Sequence, residues 1–150
     1  MLLVGCLYVA KINLAQTSSS VDKYSQKVER EVLASGFPKG AEGNILELVR
    51  YTIPPKTNLP IHFHPGMQIG RIEFGMLTYT VVEGTAQIRR ANGKEEALKA
   101  GQTTLLYTGD SLIEPSGMVQ YGKNETASQV ILLSASLFEE EQPKATLVNP

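Results

Sequence analysis

Cysteine is nearly absent from this chain of 150 residues: Cys6 is the single instance. An intrachain disulfide is therefore excluded, although the compartment is not, since an exported protein need not carry one. Thiol chemistry has no support, because no Cys–His pair is present. A surplus of charge is also lacking. Fourteen basic residues stand against fifteen acidic ones, for a net charge of -1. No basic stripe with interleaved aromatics occurs, which argues against a nucleic-acid partner. Gly-rich phosphate loops and Gly-x-Ser-x-Gly elbows are missing as well. No apolar run approaches the roughly 20 residues that span a bilayer as a helix. What remains is 42% hydrophobic and 19% charged, the composition of one globular domain with a core of its own.

The longest apolar run is N-terminal, from Met1 to Ala10. It has the length of a signal-peptide h-region, and Leu14-Ala15-Gln16 before Thr17-Ser18-Ser19-Ser20 reads as a cleavage zone and polar mature start. No basic segment precedes the run, Lys11 interrupts it, and Asn13 is a poor residue two positions before Ala15. Leu3-Val4-Gly5-Cys6 resembles a lipobox but lies too near the start to follow a complete signal. A start codon placed too far downstream would explain both deficits. The alternative is a strand that pairs within the folded domain. The expectation is a signal peptide over residues 1–16, truncated or unusual, and hence a periplasmic or extracellular protein. Residues 17–43 then form an N-terminal extension, helix or edge strand.

From Asn44 onward the chain reads as short strands separated by Gly, Pro and Asn turns. In residues 44–53, Ile45, Glu47, Val49, Tyr51 and Ile53 alternate with Leu46, Leu48, Arg50 and Thr52, and Pro54-Pro55 ends the run. Further strands are expected at 59–63, 68–74, 76–82, 86–90, 95–99, 102–107, 112–114, 118–123 and 128–138. Asn92-Gly93 is the strongest hairpin signal among them. A strand about every ten residues, with no helical segment between, predicts an all-β sandwich or barrel. Residues 44–138 would form it. The tail over 139–150 is polar and is expected to be loose or draped over the surface.

Histidine is as sparse as cysteine, and its placement is informative. His62 and His64 are the only two, one residue apart in Pro60-Ile61-His62-Phe63-His64-Pro65-Gly66. Residues i and i+2 of a strand share a face, so both imidazoles should project to one side. Paired imidazoles suit Zn, Cu, Fe or Ni. Two partly exposed residues on a strand edge would be the plain structural alternative.

Residues 54–138 resemble a cupin, a double-stranded β-helix related to the jelly roll. Its first motif is matched by His62, His64 and, beyond Gln68, Gly75. Its second is matched by Gly109, Pro115, Gly117 and Asn124. The wording is closest to small, apparently exported, single-domain cupins. The resemblance implies a single-domain all-β cupin barrel, jelly-roll-like, with ligands for a divalent ion projecting into it at His62, His64, Gln68 and Gln120. It also implies pairing of sheet against sheet in a homodimer. The segment before Asn44 is longer than the barrel needs, so residues 28–35 are expected to add a strand to a sheet edge, their own or a partner's.

The departures from the family pattern bear on function. Metal-binding cupins use three histidines and a glutamate, whereas here Gln68 stands at the glutamate position and Gln120 at the third histidine. An amide oxygen is a weak neutral donor, so Zn, Ni, Mn or Fe would be held weakly. Lys56 replaces the first motif's leading glycine. Alternation from Gln68 turns Gly70 and Ile72 inward and Glu73 out, while Glu114 cannot be oriented from sequence. Leu77, Tyr79 and Val81 fit barrel core better than a ligand cavity. Asn124-Glu125-Thr126 fits a glycosylation acceptor, but the second motif already accounts for Asn124. Three functions stay open: a small-molecule-binding domain with a weak or absent metal site, a metal-dependent enzyme of dioxygenase or isomerase type, or a structural, dimerising protein with a remnant pocket. No catalytic residue and no substrate is legible.

Overall fold

Alternating burial organises the chain in a computed structural model, which describes residues 28–149. The candidate signal peptide over 1–16, and residues 17–27 of the extension, lie outside the described residues. No helix occurs among those described, and so none long and apolar enough to cross a membrane. In chain order the strands are β1 (Glu29–Gly36), β2 (Asn44–Ile53), β3 (Thr57–Asn58), β4 (His62–Phe63), β5 (Met67–Phe74), β6 (Met76–Glu83) and β7 (Thr85–Arg89). They continue as β8 (Glu95–Lys99), β9 (Thr103–Tyr107), β10 (Ser111–Glu114), β11 (Val119–Asn124), β12 (Val130–Glu139) and β13 (Thr146–Leu147).

Two antiparallel sheets result. One runs β1-β2-β12-β5-β10-β7-β8 and the other β13-β4-β11-β6-β9, with β3 beside β11. Most neighbours are distant in sequence, as in a jelly-roll barrel. The hairpin at Asn92-Gly93 joins β7 to β8, pairing Arg89 with Glu95. Gly93 there has a φ of 87°, which suits the positive-φ turn. The expected alternation holds in β2, where Glu47, Val49 and Ile53 are buried and Leu46, Leu48 and Arg50 exposed. It holds in β5, where Gln68, Gly70 and Ile72 are buried and Glu73 is outside beside Arg71.

Inward side chains of both sheets make one core that includes Ile53, Ile72, Leu77, Val81, Ile88, Leu106 and Val130. Polar pins fasten its ends. Asn124, 1% exposed, donates its amide to the carbonyls of Ile53, Pro54 and Ser128. That side chain stitches three segments together, which explains the motif position and leaves no amide for a glycan. Asp110 accepts from the N–H groups of Ala91 and Tyr107 and from Arg90, which also bonds Glu96 and Thr104.

The histidine strand is shorter than expected. Pro60 has no N–H to donate to a ladder, so only His62 and Phe63 of the run form a strand, β4, with the separate β3 ending before it at Asn58. Lys56, at the position of the missing glycine, has a φ of 55°, the left-handed conformation that glycine adopts freely. The C-terminal segment is not loose. β13 pairs Thr146 with Phe63 and Leu147 with His62, and Val148 N–H donates to the Ile61 carbonyl at 2.9 Å. Being polar in composition, this segment gives no periodic signal; backbone bonds to β4 hold it.

Gly66 links β4 to β5 where the chain passes against β12. A Cβ there would overlap the Leu137 carbonyl oxygen and come within 2.8 Å of the Phe138 ring. Gly66→Ala is predicted to destabilise the protein by about 1–3 kcal/mol, the range of overpacking in a close-packed region. Chemical denaturation measures this, and a loss below about 0.5 kcal/mol, the scatter of surface substitutions, would contradict it.

Candidate functional site

The barrel encloses a cavity of about 360 Å³, within the usual size of small-molecule sites, roughly 300–1,000 Å³. Its walls are apolar, formed by Val28, Ile53, Leu59, Leu77, Leu112 and Leu132. Its floor is polar, formed by His62, His64, Gln68, Tyr79, Glu114 and Gln120. Arg30, Tyr51, Gly70, Gly122 and the strap Pro143-Lys144-Ala145 complete the lining.

All four residues singled out from the motifs thus reach one cavity. The imidazoles of His62 and His64 project to the same side, with ring centroids 5.0 Å apart and planes at 82°. Register explains the rest. Gln120 on β11 is opposite His62 on β4, and Gln68 on β5 is opposite Glu114 on β10. Glu114 is therefore a floor residue, 4% exposed, which sequence could not place.

Hydrogen bonds fix the protonation pattern. His62 Nδ1 lies 2.8 Å from the Pro60 carbonyl and His64 Nδ1 2.8 Å from the Lys144 carbonyl. A carbonyl only accepts, so each Nδ1 carries the proton and, in the neutral ring, each Nε2 bears a lone pair. Burial lowers the pKa of both histidines, and for His62 the neighbouring His64 lowers it further. Both shifts favour the neutral ring, against the opposing pull of the Pro60 and Lys144 carbonyls and, for His62, of Glu114. Gln120 Nε2 lies 2.8 Å from His62 Nε2, and Gln68 Nε2 lies 3.3 Å from His64 Nε2.

Glu114 orients the remaining groups. Tyr79 donates its hydroxyl to Oε1 at 2.6 Å and Gln68 donates Nε2 to Oε2 at 2.9 Å. Ser136 donates to Gln68 Oε1 at 3.0 Å, with Ser134 Oγ 3.4 Å from Ser136 Oγ. The amide of Gln68 is thus held from both ends. Burial raises the pKa of Glu114, against the opposing bond from Tyr79, and burial beside Glu114 raises that of Tyr79. His64 Nε2 lies 3.6 Å from Glu114 Oε2. Leu77 and Tyr79 serve both core and cavity, whereas Val81 serves the core.

A metal is the cofactor that the motif resemblance implies. Among the described residues no group of three or more His, Cys, Asp or Glu is placed to hold one. The donor chemistry agrees. A metal needs lone pairs, yet both glutamines present amide N–H to the imidazoles, and the carbonyl of Gln68 is taken by Ser136. As arranged, His62, His64, Gln68 and Gln120 do not fit a resident transition metal.

Arg30, Tyr51, Tyr79, Ser136 and Lys144 were not singled out as site residues from sequence. Arg30 and Lys144 lie near the two ends of the described residues. Lys144 Nζ is 3.5 Å from Glu47 Oε2, and Arg30 donates to the same oxygen at 2.7 Å. No short motif joins such distant positions.

No protein-family model matches the sequence, and no curated protein is similar to it by sequence. Solved structures are similar in fold. An oxalate oxidase in complex with the substrate analogue glycolate superposes with a TM-score of 0.50 at 16% identity, covering 69% of this chain and 46% of that one. A glycine-to-alanine mutant of salicylate 1,2-dioxygenase from Pseudoaminobacter salicylatoxidans, in complex with gentisate, gives 0.49 at 15% identity, over 74% and 25%. Salicylate 1,2-dioxygenase without that mutation gives 0.45 at 18%, over 61% and 20%. The chain thus spans about half the length of the oxidase and about a quarter or less of the dioxygenase.

The glutamines can be tested directly. Gln68→Glu with Gln120→His is predicted to raise the affinity for Zn²⁺ or Ni²⁺ at least tenfold, each better ligand contributing more than about 1.4 kcal/mol. The metal-free double variant should melt below the wild type, because a carboxylate at position 68 would face Glu114 without a donor between them. Calorimetric titration showing no gain would mean that the four side chains do not converge on a common centre. The chain has the all-β, jelly-roll-like barrel fold that its two motifs imply.

Proposed function

We propose that this protein binds a small, mostly apolar molecule in its barrel without a resident metal. One observation carries the reading: the polar floor is already hydrogen-bonded by its own side chains, beneath apolar walls able to take a ligand body. Apolar walls with a few convergent polar groups are the usual construction of a ligand site. The oxalate oxidase of similar fold is in complex with glycolate, also a small molecule. Enzymatic turnover has no comparable support, because the floor offers no metal its lone pairs as arranged. We also propose that the protein is exported, on the sequence of residues 1–16.

Indole is a suitable first probe, being apolar and small enough for the cavity. It should raise the melting temperature in proportion to RT ln(1 + [L]/Kd), and the rise should persist in EDTA. Leu132→Trp, which fills the cavity, should remove the effect while leaving the fold intact. Loss of the stabilisation in EDTA and also in His62→Ala would place a metal in the site and favour the enzyme reading.

A homodimer is proposed on a second observation. The outer face of the larger sheet carries an apolar patch in register. Leu46, Leu137 and Met67 form one row, and Leu48, Ala135, Ile69 and Ile113 the next. Leu46, Leu48, Met67, Ile69 and Ile113 are exposed. Sheets pack face to face through such surfaces, and patches of this kind on soluble proteins mark contacts. Strand β1 covers the β2 edge of its own sheet, so edge addition by a partner is not required there. Light scattering at micromolar concentration should give a dimer mass for the wild type and a monomer mass for Leu48→Lys with Ile69→Lys. A monomeric wild type at all concentrations would remove the proposal.

A further inference from the structure

Two cations converge on one carboxylate where the cavity lining reaches solvent. Arg30 donates from Nη2 to Glu47 Oε2 at 2.7 Å, and Lys144 Nζ lies 3.5 Å from the same oxygen. Three segments meet there: Arg30 is on β1, Glu47 on β2 and Lys144 on the strap before β13. Both basic residues line the cavity. Their side chains are 30% and 32% exposed, against 9% for Glu47, which puts the two cations at the mouth. Two full charges against one leave a surplus of one positive charge. Donors are in surplus as well. Arg30 has five N–H groups, and it spends Nε on the Tyr51 hydroxyl at 3.3 Å and Nη2 on Glu47. Besides Glu47, the Lys144 ammonium faces the ring of Phe138, 5.8 Å from its centroid. The other acid of the lining, Glu114, belongs to the floor. It stands three strands from Glu47 in the order β2-β12-β5-β10, about 14 Å of sheet at the usual strand spacing.

We propose that the ligand is an apolar molecule with a single carboxylate head, a small aryl- or alkylcarboxylate, whose head bridges Arg30 and Lys144 while its body lies against Leu59, Leu77, Leu112 and Leu132. This rests on the reading of the barrel as a binding cavity. The floor makes its hydrogen bonds among its own side chains, so a polar head finds its partners at the mouth. One negative charge there matches the surplus. Charge-assisted bonds from a guanidinium or an ammonium to a carboxylate are among the strong ones. The head also keeps part of its hydration at this depth, which limits the cost of desolvation. A cationic head would be the third positive charge on one carboxylate, and a neutral head would leave the surplus unanswered.

Three probes of similar shape and different charge decide the matter: phenylacetate, 2-phenylethanol and 2-phenylethylammonium. Each is titrated calorimetrically into the wild-type protein at neutral pH in EDTA. Phenylacetate should bind at least tenfold more tightly than the alcohol, and the ammonium more weakly than either. Raising the ionic strength should narrow the gap between acid and alcohol, because both cations are partly exposed. Lys144→Gln retains the main-chain carbonyl that holds His64 and should close most of that gap, whereas Lys144→Arg, which keeps the charge, should preserve it. Arg30→Gln should close it likewise. Equal binding of acid and alcohol, tighter binding of the ammonium, or a gap undiminished in both glutamine variants overturns the proposal and leaves the binding cavity standing. Failure of all three probes to bind overturns both. Should neither glutamine variant fold, the wild-type ranking and its salt dependence decide.

Discussion

Glu114 is a carboxyl group buried at the floor of the barrel, and the polar half of the barrel is arranged around it. A buried carboxyl requires hydrogen-bond partners. Tyr79 supplies one from the opposite sheet and Gln68 another from the adjacent strand. The demand on Gln68 then decides which end of its amide faces which neighbour: the carbonyl goes to Ser136, and the N–H side faces Glu114 and His64. Every step follows from donors meeting acceptors. The outcome is a floor that is complete without a metal ion.

The strap at the C-terminus belongs to the same construction. Lys144 lends its carbonyl to His64, and β13 closes over β4 beside both histidines. His64 also stacks on Phe138, with centroids 5.7 Å apart and planes at 14°. Two elements far downstream in the chain therefore set the ring's orientation and the choice of which nitrogen is protonated. Gly66 permits this closeness, since any side chain there would push the histidine loop away from β12. Backbone packing and imidazole chemistry are coupled at this corner of the barrel.

Much of this was legible in sequence, for reasons that can be named. The period-2 alternation in β2 and β5 separates inside from outside, because each strand has one face on the core. Asn92-Gly93 announces its hairpin through the φ values that it tolerates. The spacing of His62 and His64 puts them on one side, and the two motifs supply the fold. Other parts were not legible. Glu114 ends a strand of only four residues, and its orientation depends on pairing with Gln68, 46 residues away. The docking of the tail likewise depends on a partner distant in the chain. Lys56 read as a departure from the motif, yet it keeps the conformation that the glycine would have provided.

The central claim is that both histidines are neutral, with their inward nitrogens engaged by glutamine amides rather than by a metal. Nitrogen-15 NMR of the imidazole rings tests it most directly, since the shifts distinguish the two neutral tautomers, the imidazolium and a metal-bound nitrogen. At neutral pH, His62 and His64 should both appear as the Nδ1-protonated neutral tautomer, and equimolar Zn²⁺ should leave their shifts unchanged. An imidazolium signature, an Nε2-protonated ring, or an Nε2 shift that moves stoichiometrically with zinc would contradict the account.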